Sequence, residues 1–242
     1  MYGNEAHRPG LRAMTRCRIG RCWQEGDDPV RYHPADVLCH KAEALELIGR
    51  WAEAEDLFRK NLTWHDAFGD RMRSAEDRYA LGHLYRQMGR YDEAVRFLEH
   101  AIQHFEGSGD RRFAAKAVGC MGCIHSDKGD YPKAIECFQR KLDIAQRISD
   151  QLEASMALND LGNVYYNQGE YERALDYYQR SLASDREIGN QRQAAMTIGN
   201  IGLIYLRLDD LNRARECYRE QLADATTIGD KLIVAGRWAT LA

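Results

Sequence analysis

The chain has 242 residues, 29% of them charged, with a formal net charge of -3 and a mean hydropathy of -0.61. That length admits one or two ordinary domains, the near-neutral charge favours neither nucleic acid nor a membrane surface as partner, and no apolar run nears the ~18 residues of a membrane span. Seven cysteines, an odd number with no secretory leader before them, fit a reducing interior, so the expected location is cytoplasmic.

Residues 1–31 hold Gly3, Pro9, Gly10, Gly26 and Pro29, and five arginines between Arg8 and Arg21 with no acid among them. The segment reads as an irregular leader or a degenerate half-repeat, with an arginine-rich nucleic-acid or targeting arm as the alternative. From residue 32 onward a unit of 40 residues recurs. Gly49, Gly89, Gly129 and Gly169 stand in step and are followed by Asp209; Gly82, Gly122, Gly162 and Gly202 do the same, as do Ala54, Ala94, Ala134, Ala174 and Ala214. The units run over about 32–70, 71–110, 111–150, 151–190 and 191–230, with a truncated sixth at 231–242. A fixed repeat of this kind marks stacked supersecondary units rather than one globular core.

Each unit reads as two helices. In the fourth, Met156, Ala157, Leu161, Val164 and Tyr165 give one apolar face, Gly169 ends the helix, and Tyr171, Ala174, Leu175, Tyr178 and Leu182 line the inner side of a second helix. Gly162 and Ala174 let the two backbones approach while the tyrosines fill the space around them. Asp209 tolerates the left-handed conformation less well than glycine, so its turn is expected to be the loosest.

The pattern L-G-x-x-Y-x-x-x-G-x-Y-x-x-A, carried by Leu81, Gly82, Tyr85, Gly89, Tyr91 and Ala94 and again by Leu161, Gly162, Tyr165, Gly169, Tyr171 and Ala174, resembles the tetratricopeptide repeat. The first unit departs from it, with Ala42, Leu45 and Trp51, and so does the third at His125. The 40-residue length is similar to that of Pins-type G-protein signalling scaffolds and kinesin light chains, and to regulatory arrays in bacterial signalling proteins with an NTPase or cyclase module. The resemblance implies an all-α fold: an α-solenoid of helix-turn-helix repeats in a right-handed superhelix, with the first helices lining a concave groove.

In that groove, Asn159, Asn163 and Asn167 form a row and Asn200 stands beside them on the next helix. A carboxamide both donates and accepts, so such a ladder can hold the backbone of an extended peptide, with Tyr166, Arg207, His83 and Arg86 meeting its side chains. The alternative is an amide-rich face that merely stays soluble. Gly119, Cys120, Cys123 and Gly199 are small where their neighbours are large, which suggests a shallow floor for an inserted side chain. Asp36, Glu43 and Glu46 would make the first unit's end of the groove acidic. Of the five positions of the chaperone-tail carboxylate clamp, only Asn163 and Asn200 match.

Catalysis, cofactors and metal are not expected. Cys120-x-x-Cys123 and Cys17-x4-Cys22 lack a second pair of zinc ligands at suitable spacing, and no nucleophile, base and oxyanion set emerges. The expected function is a non-enzymatic scaffold for a peptide segment of a protein partner. The alternatives are a regulatory segment packed on its own NTPase or cyclase module, and self-assembly through the uncapped terminal helix that carries Leu232, Ile233, Val234, Trp238 and Leu241.

Overall fold

The computed structural model describes residues 34–230; the leader or half-repeat at 1–31 and the truncated sixth unit with Trp238 lie outside the described residues. Ten helices follow as hairpins: α1 (Pro34–Leu47) with α2 (Trp51–Phe68), α3 (Arg71–Gln87) with α4 (Tyr91–Ser108), α5 (Arg111–Asp127) with α6 (Tyr131–Arg147), α7 (Gln151–Asn167) with α8 (Tyr171–Glu187), and α9 (Gln191–Arg207) with α10 (Leu211–Thr227). No strand occurs among the described residues. Each helix packs on its neighbours in sequence, and the first helices α3, α5 and α7 also touch one another, so the fold is an α-solenoid with a first-helix layer and a second-helix layer.

Two devices punctuate the repeats. The in-step glycines stop the first helices in the left-handed region, with Gly169 at φ 78°. Asp70, Asp110, Asp150 and Asn190 at the junctions between repeats, and Asp130 and Asp210 within them, each cap a helix start by accepting from the backbone N–H three residues on, as Asp150 does from Glu153 at 3.1 Å. Asp209 adopts φ 59°, and its N–H reaches Leu206 at 3.3 Å, against 3.0 Å for the matching bonds of Gly49, Gly89, Gly129 and Gly169. Its turn is the slackest of the five within-repeat turns, as the lost glycine predicts.

Inside the second to fifth hairpins a glycine of the first helix lies against a large side chain of the second; the first hairpin has Ala42 at that position. A Cβ placed on Gly82, Gly122, Gly162 or Gly202 would sit 2.6–2.8 Å from Leu98, Phe138, Tyr178 or Tyr218 respectively. Ala94, Ala134, Ala174 and Ala214 beside them are buried. Within the apolar face expected of α7, Ala157, Leu161 and Val164 are fully buried, whereas Met156 is 39% exposed and belongs to the opposite side.

Gly162→Ala should therefore lower the unfolding free energy by about 1–3 kcal/mol, since the Tyr178 ring has to move away from the new methyl. Gly107→Ala, at a helical site with open space around it, should raise it by about 0.5–1 kcal/mol. Urea unfolding of the two variants beside the parent chain checks both signs.

Candidate functional site

Side chains of the first-helix layer bond from one repeat to the next at an offset of 41 residues, one more than the period. Gln87 Nε2 donates to Glu46 Oε1 at 2.8 Å, Arg86 Nε to Asp127 Oδ2 at 2.9 Å, Asn200 Nδ2 to Asn159 Oδ1 at 3.3 Å, and Arg207 Nε to the Tyr166 hydroxyl oxygen at 3.0 Å. His83 Nδ1 lies 2.8 Å from the same Glu46 oxygen. Other pairs of the layer span 37 or 38 residues, as His83–Glu46 and Thr197–Asn159 do, so a side chain meets the next repeat at the two diagonal positions one helical turn apart.

This geometry gathers part of the expected site. Asn163, Tyr166, Asn167 and Asn200 line one cleft of about 270 Å³ together with Tyr178 and Leu203. Tyr178, from the second helix, donates its hydroxyl to Asn163 Oδ1 at 2.7 Å and so orients the carboxamide, leaving Nδ2 as the free donor. Burial pushes the Tyr178 phenol well above its ordinary pKa, which keeps it a donor at physiological pH. Asn159 stands apart from the cleft, its carbonyl taken by Asn200 and, at 3.4 Å, by the Thr197 hydroxyl. His83 and Arg86 are two repeats away on α3, engaged with Glu46 and Asp127. Cys123 is half-buried against the apolar cluster of Phe138 and Leu161.

The floor expected at Gly119 and Gly199 is not there. A Cβ on Gly119 would meet Lys141 Cδ at 2.8 Å, and one on Gly199 would meet Gln221 Nε2 at 2.4 Å. Both glycines face the second helix, whose long side chain fills the space. Sequence reasoning missed Lys141 for this reason. It is only 4% exposed, its ammonium 3.2 Å from Asp160 Oδ2 and 3.7 Å from Glu153 Oε2. Burial opposes its charge, but Asp160 and Glu153 outweigh that and hold its pKa above the ordinary lysine value. Burial also pushes the thiols of Cys120 and Cys123 up to about 11 and about 12, so both stay protonated and make poor nucleophiles or metal ligands. Among the described residues, no group of three or more His, Cys, Asp and Glu is placed to hold a metal.

With the geometry in place, the chain can be set beside known proteins. The profile of the tetratricopeptide repeat matches residues 34–107 and 113–187, more than half of the chain, and a second tetratricopeptide profile matches 197–223. The chain belongs to the tetratricopeptide repeat family. Solved structures of similar fold include BtubC (BKLC) from P. vanneervenii, 21% identical with a TM-score of 0.70 over 80% of both chains. A Rap protein complexed with Competence and Sporulation Factor is 16% identical with a TM-score of 0.75, over 84% of this chain and 57% of that one. NprR in complex with its cognate peptide NprX is 20% identical with a TM-score of 0.67, over 87% of this chain and 63% of that one. At these identities the likeness is one of fold, and the chain spans about three fifths of the Rap and NprR chains. Comparison with curated protein sequences returns no match. No helix among the described residues is long and apolar enough to cross a membrane.

Glu76, on the same face of α3, has its pKa raised to about 7, first by burial, with Arg73 opposing and Asp77, Asp70 and Asp110 adding to the rise. A carboxyl whose folded pKa lies above its unfolded value supports folding fully below about pH 4.5 and loses that support as pH climbs through 7. Glu76→Gln should match the parent in stability at about pH 4.5, gain on it between there and pH 7, and hold that gain above it. Urea unfolding across this range measures the difference; an equal gap at every pH would reject the assignment.

Proposed function

We propose that the chain is a non-enzymatic, cytoplasmic interaction scaffold that holds an extended peptide segment of a protein partner along its first-helix layer. The observation that carries this reading is the cleft between α7 and α9, where the Asn163 carboxamide is fixed by Tyr178 and stands with Asn167, Asn200 and Tyr166 around an open volume of about 270 Å³. Pre-oriented amides bond a peptide backbone without first giving up rotamer freedom. Leu203, and the exposed Met156 and Met196 on the same helices, offer apolar contact for alternate side chains of the peptide. The structure of NprR with a cognate peptide supports the same use of a similar fold.

Asn163→Ala alone would leave the Tyr178 hydroxyl without its acceptor and confuse binding with stability. The informative comparison is a peptide-library pull-down with the parent chain, Tyr178→Phe, and Tyr178→Phe combined with Asn163→Ala and Asn167→Ala. Peptides retained by the parent should be held somewhat less by Tyr178→Phe, which frees the Asn163 carboxamide, and about tenfold less than by the parent in the triple variant, the worth of one or two backbone hydrogen bonds. Equal retention by all three would remove these amides from the site.

A further inference from the structure

A second kind of cleft recurs on the other side of the array, where the end of one second helix, the start of the next first helix and the following second helix come together. Between the fourth and fifth repeats it is lined by Gln191, Ala194 and Asp224 among others. Between the first and second repeats the matching positions are Arg71, Ser74 and His104, joined by Arg78 and His100, around about 230 Å³. In the cleft between the fourth and fifth repeats the lining cation is Arg186, which is paired with Glu220, so the stack forms the cleft without an unanswered cation and packing does not account for the cluster around Arg71. Arg71, His100 and His104 also line an adjoining cleft of about 420 Å³, with Gln103 and Ser108.

The charges in it are unequally answered. Asp66, the carboxylate of the cleft, is held by Arg78 Nη2 at 3.0 and 3.1 Å and by the Ser74 hydroxyl at 2.5 Å. Arg71 makes no ion pair among the described residues, and neither His100 nor His104 bonds a neighbouring side chain there. One helical turn apart, the two imidazoles project to the same side of α4. A guanidinium fork and two imidazoles at the rim of an open cleft match a compact, multiply charged oxyanion. The cations do not continue as a stripe, because Glu99 and Glu106 flank the histidines on α4, which disfavours a nucleic-acid backbone.

We propose that Arg71, His100 and His104 form a binding site for a phosphate monoester, on the second-helix side of the array and independent of the peptide cleft. The group reaches it on a small molecule or on a phosphorylated side chain, and the chemistry is the same in both cases. Arg71 takes two oxygens bidentately, and the imidazoles donate to the third oxygen and to the bridging edge.

The test follows the imidazole C–H resonances of the full chain at constant ionic strength and about pH 6, where ordinary imidazoles are largely cationic. Inorganic phosphate, phenyl phosphate and a phosphoserine peptide are titrated in turn, with chloride and zinc as controls. His100→Gln and His104→Gln assign the signals, and circular dichroism melts confirm that all variants fold. Phosphate should displace both resonances saturably, and Arg71→Gln should weaken the response about tenfold, the loss of one bidentate charge-assisted contact. Tighter binding of the peptide than of phenyl phosphate would assign the site to a phosphorylated chain, and the reverse to a small ligand. No saturable displacement, the same response to chloride, an undiminished response in Arg71→Gln, or a response to zinc alone would each overturn the proposal.

Discussion

The contact on which the rest depends is that between a glycine of the first helix and the large side chain facing it from the second, made in four of the five hairpins. Because Gly162 has no Cβ, the edge of the Tyr178 ring packs directly against it, and the Tyr178 hydroxyl reaches Asn163. With any larger residue at 162 the ring would be displaced and the hydroxyl would miss its partner. The same close approach lets second-helix side chains reach the far layer at all, so the polar character of the first-helix face is set partly by residues that belong to the other helix.

That coupling is reciprocal in size along the array. The first-helix column Tyr79, Gly119, Asn159 and Gly199 runs beside the second-helix column Ala101, Lys141, Ser181 and Gln221, large against small and small against large. Lys141 extends over Gly119 and Gln221 over Gly199. Aligning the two columns would have revealed this from sequence, since each glycine is matched by the longest residue of the opposing column. Reading Gly119 and Gly199 as a groove floor considered one helix alone, and the space that a missing side chain leaves is claimed by whichever neighbour can reach it.

The fold was legible because its signals are local: glycine at φ near 70–80°, apolar spacing, and a fixed period. Asparagines at 163, 167 and 200 were legible as a cluster for the same reason. What the sequence hid was register between repeats. The bonds of Glu46 to Gln87, Arg86 to Asp127, Asn159 to Asn200 and Tyr166 to Arg207 span 41 residues and those of Glu46 to His83 and Asn159 to Thr197 span 37 and 38, and nothing within one repeat specifies which diagonal neighbour is taken. It decides which residues remain available. Arg86 is engaged by Asp127 across the junction, whereas the Asn163 carboxamide is held through its oxygen by Tyr178 and lines an open cleft, so the same layer is self-paired at one repeat and less so at another.

The polar junctions also solve a problem that near-identical repeats create. Apolar positions recur so regularly that α2 could dock on α5 almost as well as on α3. His65 Nδ1, however, lies 2.6 Å from Asp77 Oδ2 with both side chains buried, and the positions matching Asp77 are Ala117, Ala157 and Thr197. Lys141 likewise meets Glu153 and Asp160, while the positions matching Glu153 are Arg73, Phe113 and Gln193. A repeat docked on the wrong neighbour would bury one of these charges without its partner, at a cost of several kcal/mol, whereas the correct order satisfies each in turn. The apolar repeat supplies the stickiness common to all five hairpins, and the two buried pairs, of different chemistry, distinguish the junction of the first with the second from that of the third with the fourth.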